Sequence, residues 1–213
     1  MKKFMRRTLD VLFVRFCIIC GNSVKAHDKI NVCENCMNRI SNYGQTIQIA
    51  DRIVVSRLPY EKHIRKHMFK FKFRNKKYLG YTFAKLLYER LIEYPWISEI
   101  QSVTCVPMKG RKRNYNQSAV VAEQVAEMMN VPFKENALIK VKNNPPFYML
   151  TLKQRLKAVK GAYSIGDDKS FVGEKMLLID DIYTTGATIG ECRRVLLRND
   201  ADSVYCATVC YPV

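Results

Sequence analysis

Long apolar runs are missing from this sequence. A membrane-crossing helix needs roughly 20 consecutive apolar residues, and none of the apolar stretches approaches that, so no membrane insertion is expected. Histidine is scarce, with only His27, His63 and His67. No Ser-His-Asp set is visible. His63 and His67 stand four apart with no third ligand nearby and read as a plain surface pair. Nothing recurs at a fixed period, which leaves no repeat architecture to build. The start, MKKFMRRTLDVLFVRFCIICG, is basic, but Arg15 breaks its apolar part and no small-residue cleavage site follows. It reads as a retained N-terminal arm rather than a signal peptide. Acidic residues are few, 19 against 36 Lys and Arg.

What is present is an uneven positive charge. Of the net +17, residues 1–115 hold 24 basic and 8 acidic residues, whereas residues 116–213 hold 12 and 11. A one-sided positive field suits a polyanion, either nucleic acid or phosphates; a lysine-rich compositional bias is the plainer alternative. With 48% apolar residues among 213, the chain can bury a core as one domain plus a small module.

Two parts are expected: residues 1–45, an arm with a four-cysteine module, and residues 46–213, an α/β domain. TIQIADRIVVSRLPY reads as strand material. Residues 61–94 read as helix, with a break near Arg74–Lys77 at the turn-former Asn75. SVTCVP is a short buried strand ended by Pro107. NQSAVVAEQVAEMMN is an amphipathic helix with Asn114 or Asn116 as N-cap. ALIKV, GAYSI, KMLLID and SVYCATVC read as strands. TLKQRLKAVK and GATIGECRRVLLRND read as helices, and NNPPF (Asn143–Phe147) as a loop. Strands alternating with helices imply a parallel sheet covered on both faces.

The stretch MLLIDDIYTTGAT carries the chemistry. In an open parallel sheet, ligands bind beyond the carboxyl ends of the strands. Asp180 and Asp181 lie there, and a helix begins close behind them. Its first turn offers unpaired N–H groups and the positive end of a dipole, a ready phosphate site. Thr184, Thr185 and Thr188 add hydroxyls, Gly186 lets a ligand approach the backbone closely, and Ala187 stands between them in the loop. Carboxylates repel a phosphate but accept hydrogen bonds from sugar hydroxyls or bind magnesium. The pattern fits a sugar phosphate, with phosphate in the threonine loop and the ribose diol on the aspartates. The plain alternative is a capped strand–helix turn with two solvated acids.

Cys17-x-x-Cys20 and Cys33-x-x-Cys36 are two knuckles separated by twelve residues. Four thiolates so spaced can surround a structural zinc ion, which would supply folding energy to a module too small for its own core. Two disulfides are the alternative, disfavoured without a secretion signal. Cys105, Cys192, Cys206 and Cys210 read as buried small apolar residues.

Arg57–Lys77 carries nine Lys or Arg and one acid, interleaved with Phe69, Phe71 and Phe73. Charge for a backbone plus rings for stacking is the profile of single-strand binding. The candidate contacts are Lys70, Phe71, Lys72, Arg74, Lys76 and Lys77. Phe69 and Phe73, four apart, are equally readable as the core side of an amphipathic helix, which singles out Phe71 as the stacking ring.

LLIDDIYTTGAT resembles the phosphoribosyl pyrophosphate (PRPP) motif of type I phosphoribosyltransferases. The four-cysteine module, VPMKGRKRNYNQ (Val106–Gln117) and QRLKAVKGAY (Gln154–Tyr163) extend that likeness to the ComF family, in the family's order and over nearly the whole chain. The family usually reads Arg-Gly-Phe-Asn-Gln where Arg113–Gln117 stands here, and Ala158 replaces a common Asn. The resemblance implies a type I phosphoribosyltransferase-like fold and PRPP bound with magnesium at Asp180, Asp181 and Thr184–Thr188. It implies a pyrophosphate-facing loop of Lys109, Arg111, Lys112 and Arg113, whose charges fit that role on their own. It also implies a cytoplasmic role in natural transformation, with single-stranded DNA as ligand and a ComFA-type helicase as partner. Purine-salvage members carry an acid at the position of Thr184, so base help from that position is excluded here. Two classes of function remain open: an active phosphoribosyltransferase with an unidentified acceptor, or a nucleic-acid-binding protein that keeps the ribose-phosphate site as a sensor or relic.

Overall fold

The protein's structure, a computed structural model, describes residues 15–24, 29–49, 52–109, 114–142 and 151–213. Most of the N-terminal arm, the Asn143–Phe147 loop, and Arg111, Lys112 and Arg113 of the basic loop lie outside the described residues.

The central sheet is organised by β8 (Lys175–Ile182). Its run of apolar side chains is buried on both sides, as a strand inside a covered parallel sheet requires. Leu177 and Ile179 enter one core cluster, Met176 and Leu178 the other, following the two-residue period of a strand. The sheet order is β3-β4-β9-β8-β5, with β3 (Gln45–Ile49), β4 (Arg52–Pro59), β5 (Ser102–Cys105) and β9 (Ser203–Tyr211). β4, β9, β8 and β5 run parallel; β3 pairs antiparallel at the edge. At the other edge, residues 132–134 shield β5: the Val103 amide donates to Pro132 O at 3.0 Å and the Lys134 amide to Val103 O at 2.8 Å.

Helices cover both faces, as expected. α3 (Leu79–Leu91) and α4 (Gln117–Met129) pack on one face. α5 (Leu152–Val159) and α6 (Ala187–Leu197) belong to the core on the other. Local signals set the helix ends. Asn116 caps α4 by accepting from the Ser118 amide at 3.1 Å, and Asn130 closes it in the left-handed region at φ 56°. Thr151 and Gln154 form a capping box on α5. α2 (Lys62–Phe73) and α3 are separated where Asn75 takes φ 52°.

One departure concerns ALIKV and GAYSI. Their strands, β6 (Leu138–Lys140) and β7 (Tyr163–Ile165), leave the main sheet and pair antiparallel with each other. Each is three residues long with one buried end and an exposed centre. A strand inserted into the parallel sheet would need apolar side chains on both faces.

The cysteine segment contains β1 (Arg15–Phe16), β2 (Ser23–Val24) and α1 (Glu34–Asn38). Ile18, Val24, Val32 and Ile40 join the same buried cluster as α3 and α4. The Asn31 amide donates to Thr82 Oγ1 of α3 at 2.9 Å, in a buried contact.

Two sequence expectations on α2 are corrected. His63 and His67 are not a surface pair: His67 is buried, with its ring Nδ1 2.8 Å from the His63 carbonyl. The His63 ring covers Gly21, where a Cβ would come within 2.5 Å of His63 Cε1. The phenylalanines are also exchanged. Phe71 is fully buried between Phe83 and Tyr115, at centroid distances of 5.4 and 5.6 Å, and cannot stack on a base. Phe69 and Phe73 are 50% and 53% exposed, their rings 5.0 Å apart. Ile64, Met68 and Phe71 form the inward stripe of α2, and positions 69 and 73 fall outside it.

Phe71→Ala should therefore destabilise the protein by about 3–5 kcal/mol, the usual result of emptying a buried phenylalanine site. Phe69→Ala and Phe73→Ala should each change stability by under ~1 kcal/mol. Urea denaturation followed by fluorescence of Trp96, the single tryptophan, distinguishes them; equal losses at all three positions would contradict this packing.

Candidate functional site

Asp180 and Asp181 lie at the carboxyl end of β8, just beyond the last paired residue of β5, since Cys105 aligns with Ile179. Asp180 Oδ1 accepts from Ser118 Oγ at 3.0 Å and from the Asp181 amide at 2.8 Å. Burial, and then the neighbouring Asp181 charge, pushes the Asp180 carboxyl up to about 7; the Asp181 amide, Lys72 and Ser118 pull the other way. Asp181 Oδ2 lies 2.7 Å from Lys72 Nζ, with the two side chains 14% and 13% exposed.

The threonine loop follows directly. Gly186 is the N-cap of α6 at φ 69°, and a Cβ there would come 2.7 Å from the Tyr183 hydroxyl, so the turn excludes larger residues. Thr185 Oγ1 accepts from the Ala187 amide at 3.4 Å. Thr184 is exposed, Thr185 and Thr188 are half-buried, and Ala187 is buried. Tyr163 of β7 lies close to Thr188, and burial pushes its phenol well up. The loop thus surrounds the amino end of an eleven-residue helix, where N–H groups and dipole favour an anion.

The remaining sequence candidates divide. Lys109 is exposed past the end of β5 and donates to the Val141 carbonyl. On α2 and beyond it, Lys70 is half-buried, and Arg74, Lys76 and Lys77 are exposed beside the Phe69–Phe73 pair. Lys72 leaves that group: its ammonium points into the aspartate pair instead of outward to a polyanion. Sequence reading missed Lys72, Ser118 and Tyr163 as neighbours of the site. Lys72 did carry a signal, because Ile64, Met68 and Lys72 are spaced by four and share the inward side of α2. Ser118 sits in the first turn of α4, where its cap Asn116 also donates to Val106 O at 3.0 Å and ties the helix to the end of β5.

The four cysteines form a second constellation. The sulfurs of Cys17, Cys20, Cys33 and Cys36 all lie within 4.8 Å of one another, and all four are free thiols. Cys20 and Cys33 sulfurs are 3.6 Å apart, far beyond a disulfide bond and close to the edge of about 3.8 Å that metal–sulfur bonds of about 2.3 Å give a tetrahedron. The Ile19 amide donates to Cys17 Sγ at 3.4 Å, and Gly21 turns the first knuckle at φ 81°. The cluster could hold a metal ion. No helix among the described residues is long and apolar enough to cross a membrane.

No protein-family model matches the chain. It is 23% identical over 196 residues to competence protein F of Haemophilus influenzae, covering 89% of this chain and 81% of that protein. It is 22% identical over 203 residues to the DNA utilization protein YhgH of Salmonella typhimurium, covering 92% and 84%. The chain is ComF-like. Each likeness extends over most of the chain. Among solved structures, the ComF-like chain overlaps Trypanosoma cruzi hypoxanthine phosphoribosyl transferase with a TM-score of 0.42 and 14% identity, over 62% of this chain and 73% of that one. It overlaps the allosteric regulatory enzyme of purine biosynthesis at 0.41 and 19%, over 61% of this chain but only 25% of that larger one. The α/β assignment stands on the chain's own strand order and register.

A carboxyl whose folded pKa is raised favours the fold when protonated. That contribution is present in full below the unfolded value near 3.9 and is lost as pH rises through the folded value. In magnesium-free buffer, wild-type stability should fall relative to Asp180→Asn between about pH 4 and pH 7 and stay level above it. Thermal melts of both proteins across that range check this; a constant difference would show that Asp180 titrates normally.

Proposed function

We propose that this ComF-like protein binds a phosphorylated ribose of the PRPP type at the end of β8 and single-stranded DNA along the exposed side of α2, in the cytoplasmic handling of DNA taken up by the cell. The observation that carries the reading is the junction of the aspartate pair with the threonine loop at the amino end of α6. Carboxylates that accept and amides that donate, a few residues apart, match the two ends of a ribose phosphate. In this reading the ribose hydroxyls donate to Asp180 and Asp181, and a phosphate receives the amides and hydroxyls of Thr184–Thr188. Lys109, Arg111, Lys112 and Arg113 would supply charge to the pyrophosphate. Magnesium brought with the pyrophosphate would offset repulsion between phosphates and carboxylates.

Relatives named for competence and DNA utilization support the DNA-handling context. A ComFA-type helicase is the partner that context implies. The DNA surface in this reading is Lys70, Arg74, Lys76 and Lys77 around the exposed Phe69 and Phe73 rings: charge for the backbone, rings for stacking. The cysteine cluster is a structural zinc site. The four thiolates would hold the ion and fix the knuckles against α2 and α3.

Asp180→Asn with Asp181→Asn should abolish PRPP binding in calorimetry while the melting transition stays cooperative, because little packing is lost at a strand end. Unchanged PRPP affinity in the double variant would refute the ribose site. Pyrophosphate release from PRPP, with and without single-stranded DNA, then separates a transferase from a binding protein.

Single-strand affinity should fall steeply with salt. Engaging about four to six phosphates gives a log–log slope of roughly −3 to −4. Glutamine at Lys70, Arg74, Lys76 and Lys77 together should flatten that slope for every sequence alike. Alanine at Phe69 or Phe73 should weaken binding by a further ~1–3 kcal/mol. Anisotropy titrations that keep the wild-type slope in the four-glutamine variant would remove α2 from the DNA path.

Metal analysis should give one zinc per chain, lost in Cys33→Ser. Metal-free wild-type protein that folds normally would rule out a structural ion.

A further inference from the structure

The aspartate pair is already engaged by the protein. Asp180 Oδ1 is taken by Ser118 and the Asp181 amide, and Asp181 Oδ2 by Lys72. Lys72 is also well anchored. Phe71 beside it is buried against Phe83 and Tyr115, and the Tyr115 hydroxyl donates to the Phe71 carbonyl. The Arg74 amide bonds to Lys70 O at 2.9 Å, so α2 keeps its hydrogen bonding to the end that carries Lys72. With both side chains 14% exposed or less, the ion pair is largely shielded from water, and removing one partner would leave a poorly solvated charge behind.

A ribose diol that takes the Asp181 carboxylate must displace or share the ammonium facing it. A neutral riboside brings two hydroxyl donors and no acceptor of matching charge, so Lys72 would lose its counter-ion. A phosphorylated ribose brings the diol and an anion together: the carboxylate passes to the hydroxyls and the ammonium passes to a phosphate oxygen. Exchanging one charge-assisted contact for another is nearly balanced, whereas losing one outright is not.

We propose that Lys72 is a specificity-determining residue of the site: it holds Asp181 closed to neutral ribosides and yields it to a ribose that carries its own anion. This rests on reading the aspartate pair as a diol site. It gives α2 a role in small-molecule selection, separate from any contact its outer face makes with a polyanion.

The test compares wild-type, Lys72→Gln and Lys72→Arg proteins, full length and with their metal, by calorimetry with PRPP and magnesium and with neutral methyl riboside, across salt. Glutamine should weaken PRPP by about ten- to a hundredfold, the equivalent of one lost charge-assisted contact. It should also flatten the salt dependence of PRPP binding and strengthen methyl riboside binding, since Asp181 is released. Arginine, which keeps the cation, should retain the preference for PRPP and rescues the design if glutamine impairs folding. A glutamine variant that binds PRPP like the wild type, or that loses PRPP and riboside in equal proportion, overturns the proposal. The Asp180→Asn, Asp181→Asn protein run alongside separates the two failures. If it has lost PRPP while Lys72→Gln behaves as wild type, only the role of Lys72 falls. If it still binds PRPP, the diol reading fails and takes the role of Lys72 with it.

Discussion

Two adjacent carboxylates at the end of a buried strand repel each other, and the surrounding architecture answers that repulsion. Asp180 lies deep enough that its proton is held toward neutrality, with Ser118 and the Asp181 amide donating to one oxygen. Asp181 is matched by the Lys72 ammonium. The two partners come from different places: Ser118 from the first turn of α4, Lys72 from the last turn of α2. Both helices must dock correctly on the sheet before the acids can be accommodated. The order of the strands serves the same end, since β5 stops at Cys105 and leaves the space beyond Ile179 to the acids and their donors.

α2 connects three regions. Near its beginning, His63 lies over Gly21 in the first cysteine knuckle. Near its end, Lys72 reaches the aspartates. Along the side away from the core, Phe69 and Phe73 stand exposed among cations. A helix repeats its direction every three to four residues, so one short segment can face the core, the site and solvent at once.

The cysteine segment is too small to enclose a core, and it borrows one. Ile18, Val24, Val32 and Ile40 complete the cluster built by α3 and α4, and Asn31 is bonded to Thr82 across the boundary. Four thiols within 4.8 Å of one another bring its two knuckles together beside these apolar residues.

The sequence by itself determined the elements that depend on local chemistry. The apolar run of β8 implied a strand covered on both faces, Asn114 or Asn116 was marked as the start of α4, Asn75 marked the break between α2 and α3, and the cysteine spacing predicted a cluster. The threonine loop was legible for the same reason, since a glycine in the left-handed region and an adjoining helix start are written within a few consecutive residues. Tertiary structure alone decided what depends on distant partners. β6 and β7 left the sheet because their single buried faces could not fill an interior position. Phe71 and the pair Phe69 and Phe73 exchanged roles because the inward stripe of α2 is set by where α3 and Tyr115 lie, and spacing within the helix cannot supply that direction. Lys72 became part of the aspartate site for a related reason: its spacing of four from Ile64 and Met68 marks the inward side of α2, but only the docking of that helix beside the end of β8 supplies the counter-ion, which stands more than one hundred residues later in the chain.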